Sequence, residues 1–355
     1  MTANSNKMPV FSILIPTYNR EKFIPLAVES CLKQDYPHIE IIISDNCSKD
    51  NTQKISEELC KKSSKIKYFR NDRNYGMVGN WQKCLYEYCT GDYGILLSDD
   101  DLLCDPSFLS QAVTAFQKNP EVGIVFSGIK ISQINEQMKI LNEEEILFPE
   151  LSGAIEGKEV FFKYFRRKST VSGYTIYVYL SSTCFDITIA KKLGCFTQEI
   201  ISEDFRSWFL FMGCSNFYYL NVVGSQYTIH ANQFCSNLKG KNSWEVYLKN
   251  FDSLLDPEKY LIQTAGWDRK RTENQINWYI SECFKGAWLG NIVCSWEVFS
   301  FFNFLKKYNF RLYSIFLRTT FISPKDLIRL ILSFFPRVLQ AIRNLKLKMN
   351  TRRKK

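Results

Sequence analysis

FSILIPTYNR (residues 11–20), EIIISDNCSKDNT (40–52) and YGILLSDDD (93–101) follow one pattern: a short apolar run that stops abruptly at a polar cluster. Continuous runs of this length, bounded by turn-forming residues, suit strands covered on both faces. The strands are predicted at Phe11–Ile15, Glu40–Ser44 and Tyr93–Leu97, with two more at Ile66–Phe69 and Val122–Phe126. Helix-compatible stretches lie between them, near Glu21–Lys33, Asn51–Lys61, Val78–Tyr88 and Ser107–Gln117. Ser48 to Asn51 offers polar side chains suited to capping the second of these. The βαβαβ rhythm predicts an α/β fold with a mostly parallel sheet, right-handed crossovers and helices on its faces. Ligands of such sheets bind just outside the carboxyl ends of the strands.

Four successive strands end in polar clusters on that edge. They are Pro16-Thr17-Tyr18-Asn19-Arg20, the Ser44–Thr52 segment, Arg70–Gly76, and Ser98-Asp99-Asp100-Asp101. One such cluster is ordinary turn chemistry; four in succession point to a ligand site. Tyr18 offers an aromatic face to a base. Asp45 offers a carboxylate to N–H or O–H donors, and Asn74 with Gly76 allows a polar contact at close backbone approach. The three adjacent carboxylates repel one another. A hard divalent cation relieves that repulsion and bridges to phosphate oxygens.

Outward from this region the rhythm changes. After about Asn135 comes a polar loop around Glu143–Glu145, then a helix expected at Lys158–Lys168 and a tyrosine-rich stretch (Tyr174, Tyr177, Tyr179). Beyond Asn242 the pattern reads as helical throughout. Apolar residues make up 45% of the 355 and charged ones 23%, so a sizeable core can be buried. The twelve cysteines are scattered through a long chain without a Cys-x-x-Cys pair, and no secretory leader is visible; free thiols in a reducing cytosol are expected. With His38 and His230 as the two histidines, a zinc site of ordinary ligand spacing is excluded. No apolar run reaches the roughly 18 residues of a membrane span.

The net charge of +10 is concentrated at one end. Residues 299–355 carry 14 Lys and Arg against one acid, Asp326. Leu327–Met349 places apolar residues at helical spacing, interrupted by Pro336, and Arg337–Lys355 adds eight basic residues. Such a tail suits peripheral contact with an anionic membrane rather than with nucleic acid.

The Pro-Thr-Tyr-Asn start, the Ser-Asp-Asn-x-Ser-x-Asp-Asn-Thr segment, the Asn-x-Gly and the acidic triplet resemble the family 2 glycosyltransferases of the GT-A fold, over roughly residues 10–235. Among these the sequence is most similar to enzymes of bacterial surface-polysaccharide assembly, abequosyltransferase-like ones included. The resemblance implies a Rossmann-like catalytic domain at 10–235, with a nucleotide-sugar-binding half (10–130) and an acceptor half (131–235). A helical, basic extension follows at 242–355. It also implies inverting transfer from a nucleotide diphosphate sugar, with Mn2+ or Mg2+, to a glycan or lipid-linked saccharide. The enzyme would be cytoplasmic, at or near the inner face of the cell membrane. Pro16, Thr17, Tyr18, Asn19, Asp45, Asn74, Gly76 and Asp99 are then expected to hold the donor, and Asp100, Asp101 and His230 the metal. His230 closes a Tyr-x-x-His segment, Tyr227–His230. Ser202-Glu203-Asp204 resembles the family's Glu-Asp motif, which makes Asp204 the base that takes the acceptor proton. Ser181-Ser182-Thr183 resembles a small-residue strand facing the acceptor.

The chain also departs from the pattern. Asp45-Asn46-Cys47-Ser48 stands where many members have Asp-Asp-Gly-Ser, and Ser98-Asp99-Asp100-Asp101 where many have Asp-Ser-Asp-Asp. Which of the three acids meets the metal is left open, with Asp99 favoured near the ribose. A dinucleotide-dependent dehydrogenase is excluded because Pro16–Arg20 has no glycine. A hydrolase lacks its Gly-x-Ser-x-Gly elbow. The non-enzyme alternative is a nucleotide-sugar-binding scaffold without catalysis, against which Asp99–Asp101 and Asp204 argue.

Overall fold

A computed structural model describes residues 8–164, 179–200, 203–231 and 255–278. The apolar runs become strands and the stretches between them helices: β1 (Phe11–Thr17), α1 (Ile24–Leu32), β2 (Ile39–Asp45), α2 (Thr52–Lys62), β3 (Ile66–Arg70), α3 (Gly76–Gln82) and β4 (Tyr93–Leu96). A π-helical stretch, Lys83–Tyr88, continues α3. β1 is flanked by β2 and β4, both parallel to it, and β3 lies outside β2. Phe11, Ile13, Leu14 and Ile15 are all fully buried. The odd members of β1 face Ile24 and Val28 of α1, while Val78, Trp81 and Leu85 are buried on α3 and its continuation. Helix starts follow local chemistry. Pro25 stands in the first turn of α1, where its missing N–H has no intrahelical partner. Asp50, within the segment expected to cap α2, accepts from Thr52 N at 3.0 Å.

The second half departs from a simple alternation. It contains β5 (Leu102–Leu103), α4 (Phe108–Lys118), β6 (Val122–Ile134), β7 (Ile140–Ile146), β8 (Gly153–Ile155), α5 (Gly157–Glu159), β9 (Thr183–Asp186), α6 (Ile187–Leu193), α7 (Glu203–Met212) and β10 (Asn216–Ile229). The sheet order is β3-β2-β1-β4-β9-β6-β10-β5, with β7 on β6 and β8 on β10. β9 is antiparallel to both β4 and β6, which it separates. Four residues are too few to show a period, and β9 arrives long after both strands it joins, which end at Leu96 and Ile134.

Glu143–Glu145, expected as a loop, lie in β7 instead. There they pair with β6, and Lys130 and Ser132 reach across to Glu145 (3.4 Å) and Glu143 (2.7 Å). Exposed charge on an edge strand prevents further strand addition. The helix expected at Lys158–Lys168 is present as α5 and a π-helical turn to Tyr164; the remainder lies outside the described residues. After β10, helices occupy Leu255–Gln263 (α8) and 269–278. The chain divides into two compact units, residues 1–238 with 259–266, and 239–258 with 267–355. The first carries the sheet and everything that follows. Leu327–Met349, Arg337–Lys355, Tyr174 and Tyr177 lie outside the described residues. Among the described residues nine cysteines are free, and no helix is long and apolar enough to cross a membrane.

Candidate active site

The ends of β1 to β4 are stitched together by their own polar residues. Thr17 and Asp45 are register partners, and Asn46 N donates to Thr17 O at 2.9 Å. Asn19 takes a left-handed backbone (φ 55°), which a short polar side chain tolerates. Its Oδ1 accepts from Lys49 N (2.7 Å) and its N–H donates to Ser48 Oγ (2.9 Å). These bonds fix the loop after Pro16 and leave Tyr18 exposed beside it, at 38%.

Asp45 is wholly buried. Its Oδ1 accepts from Ser48 N (2.8 Å) and its Oδ2 from Tyr68 Oη (2.7 Å) and Arg70 Nη1 (2.6 Å). Burial, and then the hydrogen bond to Asp45, push the Tyr68 phenol far above its ordinary range. The group presented at this corner is therefore the half-exposed Arg70 guanidinium rather than the carboxylate. Asn46 acts as a hub. Its Nδ2 donates to Asn74 Oδ1 (2.9 Å) and Gly76 O (2.8 Å), and its Oδ1 accepts from Tyr75 N (2.9 Å) and Asn71 Nδ2 (3.2 Å). A carboxylate at position 46 could not donate to Asn74 and Gly76 O. Gly76 itself has φ +81°, a conformation that favours glycine.

The acidic triplet is sorted by its partners. Asp99 accepts from Tyr18 N (3.3 Å) and pairs with Arg20 Nε (3.4 Å). Burial, then the charge of Asp100, raise its carboxyl to about 7 against the opposing pull of Arg20, Thr17 and Tyr18 N. Asp100 Oδ2 lies 2.9 Å from His230 Nε2, and the imidazole stacks on Phe23 with ring centroids 4.6 Å apart. Asp101 turns inward. It is 1% exposed, with one oxygen accepting from Thr228 N (2.9 Å) and the other from the Ser181 hydroxyl. Burial foremost, with Asp100's charge, holds its carboxyl well above the usual range. Asp101 thus anchors the acidic loop to β10 and to the turn before β9. Ser181, Ser182 and Thr183 are buried in that turn and the first residue of β9. Tyr179 packs near Tyr227, ring centroids 5.9 Å apart.

Glu203 and Asp204 open α7 and differ in surroundings. Glu203 is fully buried; its Oε1 accepts from Thr197 N (3.0 Å) and Arg206 Nη1 (3.0 Å). Burial raises it to about 7, against the Arg206 charge. Asp204 is half-buried, and burial raises it to about 6, opposed by the N–H groups of Asp204 and Phe205. A carboxyl tuned near neutrality, with no cation paired to it among the described residues, is suited to exchanging a proton.

Sequence reasoning did not single out Asn46, Asn71, Tyr68, Arg70 or Arg20 as site residues. Arg70 and Asn71 stand at the end of β3, and the strand-end rule that picked out Asn74 applies to them equally. Tyr68 lies within a strand and carries no such signal.

Fold and strand-end chemistry together place a polar ligand site at the carboxyl edge of an α/β sheet, and the comparisons name the family. Residues 12–177 match the Glycosyl transferase family 2 profile. The chain is 39% identical over 272 residues to the GalNAc(5)-diNAcBac-PP-undecaprenol beta-1,3-glucosyltransferase of Campylobacter jejuni, covering 75% of this chain and 79% of that one. It belongs to glycosyl transferase family 2. In fold it is similar to residues 1–349 of Staphylococcus aureus TarS in complex with UDP-GlcNAc (TM-score 0.59, 14% identity, 88% of this chain and 79% of that one). It is also similar to a mannosyltransferase from Pyrobaculum calidifontis in complex with GDP-Man and Mn2+ (TM-score 0.51, 14% identity, 88% and 86%). The architecture is that of the GT-A glycosyltransferases, and the protein is a glycosyltransferase.

Proposed function

We propose that the chain transfers a sugar, with inversion, from a nucleoside diphosphate sugar to a hydroxyl of a lipid-linked saccharide in bacterial surface-glycan assembly. The observation that carries this is the pairing of Asp100 with His230 beside Asp99, at the strand edge where Tyr18, Asn74 and Gly76 also gather. The names of the relatives support it: the Campylobacter enzyme's acceptor is undecaprenol-linked, and TarS is seen with UDP-GlcNAc. The catalytic domain spans 10–235 and the basic extension 242–355. The enzyme works in the cytoplasm, and the extension touches an anionic membrane that holds the acceptor.

In this reading Pro16, Thr17, Tyr18, Asn19, Asn74, Gly76 and Asp99 hold the donor. Asp45 acts from behind, fixing Arg70 and the Ser48 N–H. The residues present fit a divalent cation, Mn2+ or Mg2+. Among the described residues no three His, Cys, Asp or Glu side chains form a closed cage. Asp100 and His230 would hold such an ion with one oxygen and one nitrogen, a partial ligand set of the kind usual for these ions at phosphate sites. The cation would neutralise charge developing on the departing diphosphate. Asp101 serves as the anchor of the loop rather than as a ligand. Asp204 takes the proton of the attacking hydroxyl on the face opposite the leaving group, an effect of about 10²–10⁴ in rate.

The test is a screen of UDP-, GDP-, CDP- and dTDP-sugars for thermal stabilisation and slow hydrolysis, with Mn2+ and with EDTA. One nucleotide sugar should stabilise the protein in Mn2+ and lose most of that effect in EDTA. Stabilisation by none, or equal stabilisation by all, would refute the reading.

A further inference from the structure

The donor loop and the helix that carries the proposed base lie on separate parts of the chain, and the segment 194–200 touches both. Toward α7, Phe196 N donates to Ser207 Oγ (3.1 Å), Thr197 N to Glu203 Oε1 (3.0 Å), and Arg206 Nη1 to Gly194 O (3.2 Å). Toward α3, the Phe196 ring meets Trp81 edge-on at 6.0 Å and Tyr86 Oη donates to Cys195 O at 3.0 Å. Phe196 holds a left-handed backbone (φ 59°), a conformation that a bulky residue keeps only where its surroundings impose it.

The outermost contact of this strap is Glu199. Its Oε2 accepts from Gly79 N at 3.2 Å in the first turn of α3. Its Oε1 covers Gly76 so closely that a Cβ built there would stand 2.7 Å away. Gly76 is also the residue whose carbonyl Asn46 holds and whose N–H donates to Asn74 Oδ1 (2.8 Å). Glu199 is exposed. Burial of apolar surface therefore does not explain its placement, whereas its two approaches to α3 do. Asp204 follows five residues later in the chain.

We propose that Glu199 is a positioning residue. It ties the Asn74–Gly76 loop to the segment that delivers Asp204, so that the donor loop and the base are held in one geometry. This rests on the reading of Asp204 as base and of Asn74–Gly76 as donor contacts. Glu199 itself touches no reacting atom. The strap makes the rate of transfer, more than donor affinity, sensitive to a residue outside the donor site.

The experiment compares Glu199→Ala, Glu199→Gln, Gly76→Ala and the double variant G76A/E199A, with Asp204→Asn in parallel. The donor is the nucleotide sugar selected by the screen, and the binding probe is its parent nucleoside diphosphate with Mn2+. E199A should lower kcat roughly 10–100-fold, the scale of a displaced catalytic group, and leave probe affinity within about twofold. E199Q keeps an oxygen for Gly79 N and should retain most of the activity. In G76A the new methyl evicts the carboxylate; removing Glu199 as well should add little to its loss of kcat. Wild-type kcat in E199A would overturn the proposal while a dead D204N left the base assignment standing. Loss of probe affinity in step with kcat would make Glu199 a donor contact and overturn it too. Full turnover in D204N would show instead that the base assignment, and the tether built on it, had failed.

Discussion

Asp204→Asn separates a base from a helix cap, because the two roles move stability in opposite directions. Burial lifts the Asp204 carboxyl from an ordinary 3.8 to about 6. A group whose native pKa is raised binds its proton more tightly when folded, so stability falls as pH rises from about 4 to about 6. At pH 7 the charged form burdens the fold by up to about 3 kcal/mol, taking 1.36 kcal/mol per unit. The amide is neutral at every pH. D204N should therefore be more stable than wild type at pH 7, by an amount below that ceiling because two N–H groups lose their anion. At pH 4 the two proteins should unfold nearly alike. Turnover should move the other way, falling roughly 10²–10⁴-fold. In the wild type, activity should drop on the acid side with a midpoint near pH 6, to about a tenth of its plateau at pH 5, where about a tenth of Asp204 is charged. Urea unfolding at pH 4 and 7, with initial rates across pH 5–8, reads both. Lower stability of D204N at pH 7, with turnover kept, would refute the reasoning: the carboxylate would then be a cap at the helix N-terminus.

Three further outcomes follow from the same geometry. Asp101→Ala leaves the Ser181 hydroxyl and Thr228 N–H without their acceptor and should destabilise the fold by roughly 1–3 kcal/mol in chemical denaturation; Asp100→Ala should instead keep stability and lose Mn2+-dependent donor binding, and the reverse pattern would exchange their roles. Glu40 is buried; burial pushes its carboxyl up, but hydrogen bonds from Lys67, Ser12 and Thr90 outweigh it and the net shift is downward. Its contribution is therefore complete above the unfolded pKa and fades as pH falls through the depressed one, so Glu40→Gln should lose stability at pH 7 and approach wild type below pH 4. Cys47 sits at φ 66°; Cys47→Gly should raise the unfolding free energy in chemical denaturation, by no more than about 1 kcal/mol because glycine also loses more entropy on folding.

What could be read in advance depended on how local each signal was. β1, β2 and β4 announced themselves because burial on both faces forces a continuous apolar run, and the rule that ligands gather beyond strand ends then pointed to Tyr18, Asp45, Asn74 and Asp99. The same reasoning mistook β7 for a loop, because an edge strand with Glu143, Glu144 and Glu145 outward has no apolar period to show. It also missed β9, whose place between β4 and β6 is decided by partners far away in the chain. At the site, residue type gave the chemistry but not the division of labour. Three adjacent aspartates look alike in sequence. Asp99 meets Arg20, Asp100 meets His230 and Asp101 meets Ser181 and Thr228, and each partner comes from a different part of the fold. Asp45 shows the same limit in reverse: its type promised an exposed acceptor, whereas Arg70 and Tyr68, brought over it by β3, leave the cation on view. Position along a strand therefore locates the chemistry of this enzyme. Only the sheet order decides which side chain covers which carboxylate, and so sets the three aspartates apart.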